Sequence, residues 1–141
     1  MMGRGVAVPR DAVAVAYLDF DEDIVGKLLC FEEDGGSYPD WAYWEDFLGF
    51  VVSHVCSVAP SMYSSDTWLG DELRVVAENG HAYVGVSEYA GLVAVWVVPK
   101  EEGGLAEAWA WQMADKLLEP FDRLRKIATA SNGGSLFRRV A

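Results

Sequence analysis

The chain has 141 residues, 52% of them hydrophobic and 23% charged, with a formal net charge of −11 at pH 7. That composition is ordinary for a folded domain and long enough for a real core. The charge repels nucleic acid and membrane surfaces and attracts cations or basic partners. Nothing approaches the roughly 18 consecutive apolar residues of a membrane span, and two cysteines, Cys30 and Cys56, do not make a disulfide framework.

In chain order, Val13 to Leu18 is a short, partly β-branched apolar run and reads as a strand. Arg4 and Arg10 precede it as in a secretory leader. Asp19 to Asp23 follow directly with no small-residue cleavage site, so no signal peptide is expected and the cytoplasm is the expected compartment. Asp21 to Phe31 reads as a helix with acids in its first turn, stopped by Gly35-Gly36. A second helix starts at Pro39. Trp41, Trp44, Phe47, Leu48, Val51, Val55 and Val58 recur at three- and four-residue intervals on it, and Asp46, Gly49, Ser53 and Ser57 fall opposite; Pro60 ends it.

Residues 60–70 read as a Ser-rich loop carrying Met62, Tyr63 and Trp68. Leu73 to Glu78 and His81 to Ser87 form a hairpin about Asn79-Gly80. Tyr89-Ala90-Gly91 turns the chain into Leu92 to Val98, apolar on both faces and therefore central. After a linker at Glu101 to Gly104, Leu105 to Ala130 is helical. Its stripe is Trp109, Met113, Leu117, Phe121, Leu124 and Ala128, and Pro120 should kink or split it. Ser135 to Val140 adds a last strand. The expected architecture is one α+β domain over 1–141, with a mostly antiparallel sheet of three to four strands packed on two or three helices.

The acids are unevenly placed. Residues 1–70 carry 12 acidic against 3 basic side chains, and residues 71–141 carry 10 against 8. The clusters are Asp19, Asp21, Glu22 and Asp23, then Glu32, Glu33 and Asp34, then Asp40, Glu45 and Asp46. As an EF-hand loop the first cluster fails, because Ile24 and Cys30 stand where Gly and a bidentate carboxylate are needed. A strand running into Asp-x-Asp resembles the first motif of haloacid dehalogenase-type phosphatases. That motif continues with Thr or Val where this chain has Asp23, and the later paired acids are missing. His54 and Cys56 lie about 160° apart around a helix and cannot form a dyad. No nucleophile elbow, P-loop, dinucleotide fingerprint or zinc pattern occurs. A non-catalytic protein without cofactor or metal is the expectation.

In size, charge and aromatic content the chain resembles small acidic inhibitors carried by phages and mobile elements, of the anti-CRISPR and antirestriction type. The resemblance is one of type, without a shared motif. It implies a protein that blocks a basic surface of a nucleic-acid-handling complex, with rows of carboxylates standing in for phosphates. The contact would then be Asp19, Asp21, Glu22, Asp23, Glu32, Glu33 and Asp34. An alternative is an immunity or assembly protein that binds through exposed aromatics, with Tyr63, Trp68 and Trp111 as anchors. A second is a small metal-dependent hydrolase built on Asp19 and Asp21.

Overall fold

A computed structural model describes residues 5–19, 44–132 and 138–139, with side chains described for 5–18 and 44–121. The elements run β1 (Ala14–Asp19), α1 (Trp44–Val58), β2 (Tyr63–Trp68), β3 (Arg74–Glu78), β4 (Ala82–Tyr89), β5 (Leu92–Pro99), α2 (Gly104–Asn132) and β6 (Arg138–Arg139). The strands form one antiparallel sheet in the order β2-β3-β4-β5-β1-β6. The α+β class expected from the sequence is what the structure shows. The helix expected over Asp21 to Phe31 lies outside the described residues.

The sheet is wider than three or four strands for two reasons. The segment expected as a Ser-rich loop is strand β2, paired with β3. Its six residues escaped detection because five are exposed, which leaves no apolar alternation to read. The strand from the N-terminal apolar run, β1, also joins the sheet, between β5 and the two-residue β6. The most apolar run, β5, is central as expected, buried at every position from Leu92 to Val98.

Register sorts the core into two faces. Ala14, Ala16 and Leu18 of β1 stand opposite Val97, Val95 and Val93, and Val84 and Val86 of β4 meet Val97 and Val95 from the other side. These residues bury against Phe47, Leu48, Val51 and Val55 of α1 and against Ala110, Ala114, Leu117, Leu118 and Phe121 of α2. Over the described residues the stripe of α1 is the one expected, with Phe47, Leu48, Val51 and Val55 buried; Trp41 and the expected start at Pro39 lie outside them. On α2 Leu117 and Phe121 of the expected stripe are fully buried, but ahead of them Ala106, Ala110 and Ala114 face the core while Trp109 and Met113 flank it; Leu124 and Ala128 lie outside the described side chains. Small side chains at the contact let a helix sit close to a sheet, and apolar periodicity alone under-weights alanine.

The opposite face holds Ala12, Val15, Val75, Ala94, Trp96 and Val98, overlaid by Val6 and Val8 of the N-terminal segment and by Leu69 and Leu73. Trp96 is wholly buried there. Its indole occupies the space a side chain on Gly85 would need: a Cβ would lie 2.1 Å from the ring and 2.4 Å from the Arg74 carbonyl oxygen. Trp96 Nε1 donates to Ser87 Oγ (3.3 Å), and Ser87 Oγ in turn donates to the carbonyl of Ala7. One buried hydroxyl thus satisfies the indole N–H and ties the N-terminal segment down.

Pro120 neither splits α2 nor ends it; the helix runs on to Asn132. Proline has no N–H to offer the carbonyl four residues back. That carbonyl belongs to Lys116, and His54 Nε2 of α1 lies 3.3 Å from it. The imidazole, packed edge-on to Phe121 and stacked with Phe50, donates the hydrogen bond that the helix cannot. Among the described residues, no helix is long and apolar enough to cross a membrane.

Candidate functional site

The β2–β3 hairpin carries two exposed aromatic side chains, Tyr63 and Trp68. Leu69 N donates to the Leu73 carbonyl (2.8 Å), closing a loop that holds Asp71 and Glu72 in solvent. At the base of the loop Trp68, 52% exposed, pairs across the ladder with Arg74. The Arg74 guanidinium lies 5.9 Å from the centre of the Trp68 ring, and its Nε donates to Asp66 Oδ1 at 3.1 Å. Asp66 is well exposed, so this ion pair contributes little to stability, of order 0–1 kcal/mol. It does neutralise Arg74.

Beside Trp68 opens a cleft of about 260 Å³ lined by Trp44, Trp68, Asp71, Glu72, Arg74, Val86, Ser87 and Glu88. Trp44, at the first turn of α1, is held by stacking on Phe47 with ring centres 5.5 Å apart. Glu88 is anchored by its Oε2, which accepts from Gly91 N at 2.9 Å. Among the described residues the cleft therefore presents two indoles and three carboxylates, and its one guanidinium is paired with Asp66. Aromatic faces beside carboxylates attract a guanidinium or ammonium group.

The other end of β2 is different in character. Tyr63, 57% exposed, stands across from Glu78. Glu78 Oε1 accepts from Lys100 Nζ at 2.8 Å and its Oε2 accepts from Ser65 at 2.7 Å, while the Lys100 ammonium lies 4.8 Å from the Tyr83 ring centre. The hydrogen bond from Lys100, helped by that from Ser65, holds the Glu78 carboxyl below the usual glutamate range against the opposing effect of desolvation. The same bond raises the Lys100 ammonium.

Of the expected aromatic anchors, the structure places Tyr63 and Trp68 at the two ends of one strand. Trp111 is half-buried against the main core and lines a different, larger cavity of about 500 Å³ with Arg10, Asp11, Lys100, Glu101, Glu102 and Glu107. Trp68 and Trp111 thus serve separate concavities. Of the acidic cluster, the backbone of Asp19 closes β1 opposite Leu92; Asp21, Glu22, Asp23, Glu32, Glu33 and Asp34 lie outside the described residues.

Sequence reasoning missed Trp44, Asp66, Asp71, Glu72 and Arg74 as site residues. A usable signal was present in Trp68-Leu69-Gly70-Asp71-Glu72, where a tryptophan enters a polar turn with no apolar periodicity around it. Cys56 packs half-buried beside the core and His54 is committed to Lys116, so the two do not meet. His81 stacks on Trp109, with ring centres 5.8 Å apart. Among the described residues, no group of three His, Cys, Asp or Glu side chains converges as a metal site would require. No protein-family model, curated protein or solved structure matches the chain.

Proposed function

We propose that this chain is an acidic, non-catalytic binding protein that acts in the cytoplasm by occupying a basic surface of a nucleic-acid-handling protein and blocking it. The observation that supports the reading is the Trp68 end of the hairpin. There, Asp71, Glu72 and Glu88 line a cleft with two indoles, and Arg74, its one cation among the described residues, is paired with Asp66. Added to a net charge of −11, this surface is complementary to lysine and arginine and hostile to phosphate.

The test uses a partner captured by cross-linking in the native host and then purified. Its affinity should fall as salt rises through about 0.15 M, where exposed charges are screened beyond about 8 Å. Asp71→Lys with Glu72→Lys should weaken it further without lowering the melting temperature, and nucleic acid should compete for the same partner surface. Binding indifferent to salt, to charge reversal and to nucleic acid would overturn the proposal.

The exposure of Tyr63 and Trp68 supports a second reading, an immunity or assembly protein with an aromatic, shape-based contact. In that case Trp68→Ala costs at least about 2 kcal/mol of binding at any salt concentration, while the lysine substitutions cost little.

A further inference from the structure

Strand β2 is a sheet edge that pairs with β3 on one side only among the described residues, and every residue of it except Ser65 is exposed. An open edge presents a row of backbone donors and acceptors to any extended chain that can approach it. We infer that β2 receives an extended, basic segment of a partner protein, which pairs along the edge and lays one lysine or arginine side chain into the Trp44–Trp68 cleft. The inference rests on the acidic-binding reading and specifies the chemistry of its contact.

Three features select this occupant. The cleft opens at the Trp68 end of the strand, so a chain lying along β2 carries its side chains past it. Its carboxylates Asp71, Glu72 and Glu88 suit a cation, and the half-exposed Trp68 walls the cleft beside them. The edge is also selective. The β2–β3 register slips by one residue between Ser64 and Thr67, an irregularity that interrupts the ladder in the middle of the edge strand. Bulges and edge charges discourage indiscriminate pairing. A second copy of this chain would bring its own net charge of −11 against this one, whereas a basic strand is attracted by Asp71, Glu72 and Glu88. Recognition by strand addition takes affinity from main-chain hydrogen bonds and specificity from alternate side chains in pockets.

The experiment titrates the full-length protein with an acetylated, amidated peptide of about eight residues alternating lysine and threonine, followed by NMR. Two control peptides replace lysine by glutamate or N-methylate alternate backbone amides. The inference expects shifts and slowed amide exchange at residues 63–68, and no binding of the glutamate peptide. N-methylation and Trp68→Ala should each weaken binding at least about tenfold. Trp68 is exposed, so unchanged spectra away from the hairpin verify that this variant folds.

Equal binding of the N-methylated peptide, or shifts confined to residues away from the hairpin, would overturn strand addition while leaving the acidic-binding reading standing. Shifts at 63–68 that appear without peptide as protein concentration rises would overturn it in favour of self-pairing. If no lysine peptide binds even at about 0.05 M salt, both the inference and the reading beneath it fail.

Discussion

At the turn between β4 and β5, Ala90 and Gly91 both have positive φ, 54° and 85°, and Tyr89 pairs directly with Leu92. A two-residue turn of this kind matches the twist of the strands, but the left-handed region costs an L-residue with a Cβ about 1–2 kcal/mol. Ala90→Asn should raise stability by about 0.5–1 kcal/mol, seen as a higher urea midpoint at unchanged slope, and Ala90→Val should lower it. A second residue-scale expectation concerns acid. Glu78 has a depressed carboxyl in the folded protein, so its stabilising contribution is complete above the ordinary value of 4.5 and is lost as pH falls through the lower folded value. Glu78→Gln should remove about 1 kcal/mol at pH 7 and flatten the melting temperature against pH below about 4.5. The raised Lys100 behaves oppositely, its contribution being complete below the ordinary value of 10.5 and lost as pH rises through the folded one. A glutamine variant whose acid dependence matches the parent would contradict the assignment.

Between elements, the bond from His54 to Lys116 joins α1 to α2 at the position where Pro120 leaves a carbonyl without its helical partner. His54→Ala should cost about 1 kcal/mol, and less in a Pro120→Ala background, where the restored N–H at position 120 can serve Lys116. Denaturation of the two single variants and the double one measures that coupling; strict additivity would show that the two residues do not share the carbonyl. The element scale is also where legibility in the sequence can be judged. Both described helices, the two hairpins at Asn79-Gly80 and Ala90-Gly91, and the central β5 were readable, because each carries a local signal of period or turn chemistry. Strand β2 was not, since Tyr-Ser-Ser-Asp-Thr-Trp at an exposed edge has no apolar alternation, and Pro60 and Gly70 on either side read equally well as the ends of a loop. Nor was the pairing of β1 with β5, which joins residues some eighty positions apart and is settled by packing rather than by local preference. Of the cleft, Trp68 is the residue that the sequence marked as an aromatic anchor, while Tyr63 stands at the other end of β2. Trp44, Arg74 and Glu88 reach the cleft from three other elements, and no local signal reports that convergence.

For the whole molecule, helices cover one face of the sheet and the N-terminal segment covers Trp96 on the other, all under a net charge of −11. Self-repulsion of that charge opposes the folded state and is screened by salt. The melting temperature should therefore rise between about 0.02 and 0.2 M sodium chloride, and a fall would mean that ion pairs such as Lys100–Glu78 outweigh the repulsion. Integrity of the fold is also written at one amide. Asn79 is buried, its Oδ1 accepting from the backbone of His81 and Ala82 while its Nδ2 donates to Ser61. An asparagine followed by glycine loses ammonia readily once the next backbone nitrogen can attack the side-chain carbonyl, leaving aspartate or isoaspartate after water opens the ring. Those three hydrogen bonds hold the carbonyl away from that attack, so the reaction waits for the hairpin to open. Isoaspartate at position 79 would accumulate in step with unfolding, making this asparagine a chemical clock of how long each molecule has spent unfolded.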